Sequence, residues 1–464
     1  MHSLLAADLE QLPALLTTAR ELSLEYLHSL PDRPVAVPTV EAELPVLPGT
    51  GRGAEAALRT FWQAYAGQLG ASAGPRFLGF VTGGSTPAAL AADWLVSAID
   101  QNLSNDGYSV VPAVERAALH LLRQLFGLPE AFAGVFVTGA TQSNLVGLAV
   151  ARQWAAAQAG HDVAQQGLYG LSPLSVLSGA AHSSIYKVAA VLGLGRDHVR
   201  AVAQLPGREA IDPQALETAL RALNGRPAVV VANAGTVNST DFDDLRALAA
   251  LKEKYPFWLH VDAAFGGFAA VVPALADRVA GWEQADSITI DAHKWLNVPY
   301  DAAMLFTRYP ALQADVFKNS AAYLGPLGER PDFVHLTPEN SRRFRALPTY
   351  LSLLAYGREG IADIVARNCA QAAAFGALVE ASGAFRLLAP VRLNVVCFTL
   401  AEADPSAAAV QHLLGRLRDS GEAFLTPTRY ADTAGMRAAF SNWRTEAADV
   451  ERVWNGLLAA AERE

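Results

Sequence analysis

The sequence predicts an α/β protein: a large domain on a mainly parallel sheet, followed by a small C-terminal α+β domain. Two observations lead there. From about Gly79 to Pro310, short apolar runs of strand character alternate with amphipathic stretches of helical period, the pattern of strands covered on both faces. After about Pro348 the apolar content stays high, but the rhythm changes to isolated strand-like runs between helices.

Taken in order, apolar residues from Leu4 to Leu30 recur at helical spacing. The following "PDRPVAVPTVEAELPVLPGTG" carries Pro31, Pro34, Pro38, Pro45 and Pro48, which forbid a helix and favour an extended connector. A helix on such an arm cannot bury its own face, so it is expected to pack on the body of the protein or on a second subunit. In the large domain "GVFVTG", "LSVLSG", "HVRAVA", "AVVVANAGT", "FWLHVDAA" and "SITIDA" read as strands. "NLVGLAVARQWAAAQA", "SSIYKVAAVLGLG", "PQALETALRAL" and "DDLRALAALKEKY" read as the helices between them. The small domain holds "RLNVVCFTL" and "GMRAAFSNWRT" and ends in the helix "ADVERVWNGLLAAAE". The boundaries drawn are 1–78 for the N-terminal helix and arm, 79–347 for the large domain and 348–464 for the small one.

Composition narrows the function. A net charge of −9 argues against a nucleic-acid or polybasic membrane surface. Cys369 and Cys397 form neither a disulfide framework nor a zinc motif, so no metal is expected and a reducing compartment is. The N-terminus carries Asp8 and Glu10 and no basic stretch before an apolar core, and no apolar run reaches membrane-spanning length; a cytoplasmic enzyme is expected. Against 31 arginines stand five lysines: Lys187, Lys252, Lys254, Lys294 and Lys318.

In sheets of this kind ligands sit beyond the carboxyl ends of the parallel strands. Those ends carry Ala140 and Thr141 in a small-residue turn opening a helix, a place suited to a phosphate. They also carry His182, Thr236, Asp262 and, in "DAHKWLN", Asp291, His293 and Lys294. Singly, each has an ordinary structural role as a cap, a turn residue or a solvated lysine. Together they match what pyridoxal 5'-phosphate requires: an amine for its aldehyde, a carboxylate for its pyridine nitrogen, an imidazole for its ring face and a phosphate cradle. The remaining lysines sit within helices or follow no strand.

The stretches "TGATQSNLVGLAVAR", "AHSSIYKVAAVLG", "GTVNSTDFDDL", "HVDAAFGG", "DAHKWLN" and "SNWRT" resemble the group II pyridoxal-phosphate-dependent amino-acid decarboxylases, the family of aromatic-L-amino-acid, histidine, tyrosine and glutamate decarboxylases. The resemblance covers almost the whole chain. It implies fold type I, the aspartate-aminotransferase-like architecture of PLP-dependent transferases, in a homodimer with active sites at the subunit interface. It implies Lys294 as the Schiff-base lysine, Asp262 as the pyridine-nitrogen partner, His182 on one ring face and Ala264 on the other. Ala140, Thr141 and His293 would hold the phosphate, and Thr236 would lie near the phenolic oxygen. The implied reaction is loss of carbon dioxide from an L-amino acid, leaving the amine.

Two positions depart from many relatives. Asp291-Ala292 stands where Asn-Pro is frequent; a carboxylate facing a phosphate dianion repels it, so Asp291 is expected to point elsewhere or to bond through backbone N–H groups. In the loop before "RRFR", Phe333 falls where many relatives carry a tyrosine that returns a proton to the substrate, while His335 matches a loop histidine. A phenylalanine has no proton to give, which opens an alternative: decarboxylation-dependent oxidative deamination to an aldehyde, unless Tyr323 or His335 supplies the proton. Phe80 and Val81 match aromatic-contact positions of the substrate pocket, and Asp106 and Tyr108 stand where aromatic decarboxylases are more apolar. An aromatic amino acid is the expected substrate, with a polar or basic one as the alternative.

Overall fold

The structure is a computed structural model and describes residues 1–38, 44–102, 107–319 and 330–462. Seven strands form the large sheet: β1 (Ala133–Val137), β2 (Ser175–Ser178), β3 (Val199–Ala201), β4 (Ala228–Asn233), β5 (Phe257–Asp262), β6 (Ser287–Asp291) and β7 (Ala303–Thr307), in the spatial order β1-β7-β6-β5-β4-β2-β3. β2 to β6 pair in parallel, and β7 runs antiparallel between β6 and β1. The sheet is therefore mainly parallel, as the alternation of apolar runs and helices predicts; β7 is the strand that this alternation does not pick out. β4, β5 and β6 are buried along their whole length, because apolar residues cover both faces. Val230, Leu259 and Ile288 belong to a core on one side, and Val229, Val231 and Trp258 to a second on the other.

Strand register aligns the functional ends. Asn233 closes β4 opposite Asp262 closing β5, and Asp262 in turn pairs with Thr289 of β6, two residues before Asp291. The side chains singled out above thus emerge along one edge of the sheet.

The chain begins with two helices, Ser3–Glu10 and Leu12–Ser29, in place of one. Pro13 sits in the first turn of the second, where its missing N–H costs nothing, and marks the break. A further helix, Ala54–Tyr65, follows the proline-rich arm; its short amphipathic period is easily overlooked beside the prolines. The arm ends in the small domain: the Leu78 N–H donates to the Phe424 carbonyl, and Ala439 N–H donates to that of Leu78. Leu78 is accordingly part of the small-domain core.

A long helical segment, Ala346–Ala381, interrupted at Gly357 (φ 58°), follows the large sheet in the chain. Behind it lies a second sheet of β8 (Phe385–Leu387), β9 (Val395–Leu400), β10 (Thr426–Tyr430) and β11 (Thr433–Ala439), all antiparallel. Phe375, Phe398, Phe440 and Trp454 pack edge-on or tilted to make its aromatic core.

Candidate active site

A cavity of about 460 Å³ opens at the carboxyl edge of the large sheet, a volume suited to a small molecule. At its floor the helix Ala140–Ala157 starts directly after β1, with Gly139 as its N-cap. The Ser143 N–H bonds back to the Gly139 carbonyl. The N–H groups of Ala140, Thr141 and Gln142 precede the first intrahelical donor, Ser143, and sit at the positive end of the helix dipole. All three residues line the cavity.

Asp262, at the end of β5, is buried and lines the same cavity. Its Oδ2 accepts from Asn144 Nδ2 at 3.0 Å and its Oδ1 from the Ala264 N–H at 3.3 Å. His182 caps the helix Ser183–Val191, its Nδ1 lying 3.2 Å from the Ser184 N–H and 2.8 Å from Ser184 Oγ. Burial pushes the His182 imidazole below its ordinary pKa, against the opposing pull of Asp262, so it is neutral at pH 7.

Lys294 stands in a single helical turn, Ala292–Trp295, that leaves the sheet after β6. Its Nζ lies 3.1 Å from Asp291 Oδ2 and 5.7 Å from the Phe265 ring centroid. Asp291 therefore does not turn away: it lines the cavity, and its second oxygen, 3.6 Å from His293 Nε2, is buried without a hydrogen-bond partner among the described residues. The expectation from phosphate repulsion is corrected by a stronger local demand, since an ammonium three residues along on the same turn needs a counter-charge. His293 Nδ1 accepts from the Ala302 N–H at 3.2 Å, its ring meets that of Tyr300, and burial lowers its pKa also.

Thr236 and Ala264 complete the predicted set. Thr236 Oγ1 donates to Glu209 Oε2 at 2.6 Å, and the Ala264 carbonyl accepts from the Asp291 N–H. Phe80 and Val81 line the mouth. Gly83 lets this segment pass close behind the lysine: a Cβ there would lie 1.9 Å from the Lys294 carbonyl oxygen.

Three predicted residues do not line this cavity within the single chain: Tyr108 is exposed, and Phe333 and His335 are buried elsewhere. Phe333 is buried with its ring between the guanidinium groups of Arg116 and Arg342, each 5.1 Å from its centroid. His335 is buried too, its Nδ1 accepting from the Asn319 N–H. Asp106 and Tyr323 lie outside the described residues.

Sequence reasoning missed Asn144, Asn233, Tyr300 and Arg437. Arg437 had a legible signal: a charge inside the otherwise apolar strand "GMRAAF" must be buried for a reason. Its guanidinium donates to the Val237 carbonyl at 2.6 Å, while its Nε, buried, has no partner. Asn233 Nδ2 at the cavity wall is also buried, with no hydrogen-bond partner among the described residues. No pattern along the chain marks Asn144 or Tyr300.

The residues present fit pyridoxal 5'-phosphate. The helix start and His293 suit the phosphate, the Asp262 carboxylate the ring nitrogen, and the unpartnered Asn233 amide a ring oxygen. Lys294 supplies an amine within the same walls.

Comparison with known proteins agrees. Residues 63–401 match the model of the pyridoxal-dependent decarboxylase conserved domain. The aromatic-L-amino-acid decarboxylase of Drosophila melanogaster is 33% identical over 238 residues, 51% of this chain and 46% of that protein; the match thus spans about half the length of this relative. The L-2,4-diaminobutyrate decarboxylase of Rhizobium meliloti is 34% identical over 317 residues, 67% of this chain and 62% of that protein. The crystal structure of Oryza sativa TDC with PLP and tryptamine superimposes with a TM-score of 0.89 at 25% identity, covering 97% of this chain and 98% of that one.

Proposed function

This chain belongs to the pyridoxal-dependent decarboxylase family, and from that premise we propose that it decarboxylates an L-amino acid to the amine with Lys294 as the cofactor-binding lysine. The observation that carries the reading is the convergence of Lys294, Asp262, His182 and a helix N-terminus on one cavity.

When bound, pyridoxal 5'-phosphate supplies the electron sink for the bond that releases carbon dioxide. The rest is the protein's share. The first turn of the helix Ala140–Ala157 binds the phosphate through backbone N–H groups. Asp262, held by Asn144 Nδ2 and the Ala264 N–H, would keep a proton at the ring nitrogen. Lys294 provides the tethering amine, and Asp291, 3.1 Å away, is in position to take its proton. Neutral His182 and the methyl of Ala264, both lining the cavity, would hold the cofactor ring. Arg437, a fixed cation in the wall, orients the substrate carboxylate, which lowers the barrier by positioning.

An aromatic side chain suits a wall that includes Phe80, Val81, Phe265 and Tyr300. The R. meliloti relative, named for a diamino acid, supports a basic substrate as the second reading. The chain is further proposed to work as a homodimer in the cytoplasm. Leu5, Leu9 and Leu16 on the N-terminal helices and Phe61 on the third are 48–63% exposed, and a second copy would cover them. Cys369 and Cys397 are free thiols, as a reducing compartment requires.

The test is a panel of amino acids assayed together for carbon dioxide, amine, ammonia and peroxide. Carbon dioxide with stoichiometric amine is expected; peroxide and ammonia in place of amine would move the reading to oxidative deamination, and no carbon dioxide from any amino acid would end it. Cofactor-loaded protein should absorb in the visible, borohydride should bleach that band, and Lys294→Ala should lack it.

A further inference from the structure

We propose that Asn144 is a positioning residue that ties Asp262 and, through the Ser184 hydroxyl, His182 into one hydrogen-bond register, held in its working orientation by the buried His260. This rests on the reading above for its purpose, but its geometry stands on the chain alone.

Donors and acceptors along the network have only one consistent assignment. A backbone N–H can only donate, so the Ser184 N–H at 3.2 Å requires a lone pair on His182 Nδ1. A neutral imidazole then carries its proton on Nε2. The Ser184 hydroxyl, 2.8 Å from the same Nδ1, also points its hydrogen there, leaving its oxygen to accept from Asn144 Nδ2 at 3.2 Å. The other Asn144 amide hydrogen goes to Asp262 Oδ2 at 3.0 Å. Flipping the Asn144 amide would set its carbonyl oxygen against that carboxylate, so Oδ1 must face the other way.

There it meets His260 Nε2 at 2.9 Å, which therefore bears a hydrogen. His260 Nδ1 lies 2.7 Å from Ser287 Oγ, whose oxygen already accepts from Trp258 Nε1 at 2.8 Å. The Ser287 hydroxyl thus donates to His260 Nδ1. Burial pushes His260 down to about 4, which keeps the imidazole neutral, as this pattern demands. Trp258, His260, Asn144 and Ser287 have no solvent exposure, so no water can substitute for a missing partner. Gly147 belongs to the design: a Cβ there would lie 2.8 Å from His260 Cε1. A one-way chain therefore runs from Trp258 to the Asp262 carboxylate, with a branch to His182.

The experiment is nitrogen-15 histidine NMR on the cofactor-free, full-length protein, with His182 and His260 assigned from His182→Gln and His260→Gln. Both imidazoles should be neutral Nε2–H tautomers at pH 7. Asn144→Leu should shift the His182 Nδ1 signal, because Ser184 Oγ loses its donor while the Ser184 N–H keeps the Nε2–H tautomer. It should also shift the His260 signals and weaken pyridoxal phosphate binding in equilibrium dialysis by at least about tenfold, the usual consequence of removing a buried hydrogen bond to a charged group. Should Asn144→Leu not fold, Asn144→Ala removes the amide without crowding and should alter His182 in the same way. Ser184→Ala should disturb His182 and leave the His260 signals alone. An Nδ1–H His182 in the parent, or unchanged His182 spectra in every folded Asn144 variant, overturns the proposal. Failure of the parent to bind pyridoxal phosphate with both tautomers as stated would instead sink the functional reading and leave the network standing.

Discussion

Replacing Gly83 by alanine tests whether the approach of residues 80–84 behind the lysine is a condition of activity. The new Cβ would fall 1.9 Å from the Lys294 carbonyl oxygen, 3.1 Å from its carbon and 3.2 Å from Asn297 Cγ. The first two are backbone atoms, so no side-chain rotation relieves the clash. Ordinary contact begins at 3.4 Å, so one strand must move by the difference, about 1.5 Å. The Gly83 segment is pinned by Gly84 N–H donating to Asn297 Oδ1 and Thr86 N–H donating to the Asn297 carbonyl. The displacement therefore passes into the turn that carries Lys294. Overpacking of this kind costs about 1–3 kcal/mol, tolerable in a chain of this size. A shift of the reacting amine by about 1 Å costs on the order of a hundredfold in rate. The variant should fold, with a modestly lower melting temperature, and lose about two orders of magnitude in kcat/KM on the substrate identified by the panel. Gly67, where an added methyl would meet nothing within 4 Å, is the control site. A Gly83→Ala enzyme within about threefold of the parent would refute the close-approach argument.

Removing the wall cation by Arg437→Leu should raise KM by about ten- to a hundredfold, as expected for loss of a charge-assisted contact to the substrate carboxylate, with unchanged KM counting against that role. Two buried groups set opposing pH trends in stability. His260, at about 4 against 6.5 unfolded, contributes stability that is present above pH 6.5 and lost as pH falls toward 4. Asp243, raised to about 6, contributes in the opposite sense, its contribution fading as pH rises from 3.8 to 6. His260→Gln removes only the first, so its melting temperature should climb relative to the parent's as pH drops from 6.5 to 4; a constant offset would show that His260 is not held neutral. Phe333→Ala should cost about 3–5 kcal/mol by emptying a site between two guanidinium groups. Phe333→Tyr should leave the ratio of amine to aldehyde unchanged, because that ring is buried between Arg116 and Arg342 of its own chain; a shifted ratio would return Phe333 to the site.

The chain order of residues carried most of the site, because in a parallel sheet functional side chains follow their strands directly. Asp262 ends β5, Lys294 follows β6 by a few residues, and His182 follows β2, so an apolar run with a polar residue just beyond it is readable without coordinates. The composition of those runs also dictated that the sheet would be covered on both faces. Whatever depends on two distant segments meeting was fixed only by folding. Arg437 reaches the cavity from the small domain, Gly83 passes behind Lys294 from the far side of the large one, and Asn144 meets Asp262 across 118 residues of chain. Asp291 illustrates the limit best: phosphate repulsion, the force visible in the sequence, points it outward, yet the ammonium one turn away holds it in. A local pattern specifies which groups a segment offers, but the sign and size of the field each group feels come from neighbours that folding brings within a few ångströms.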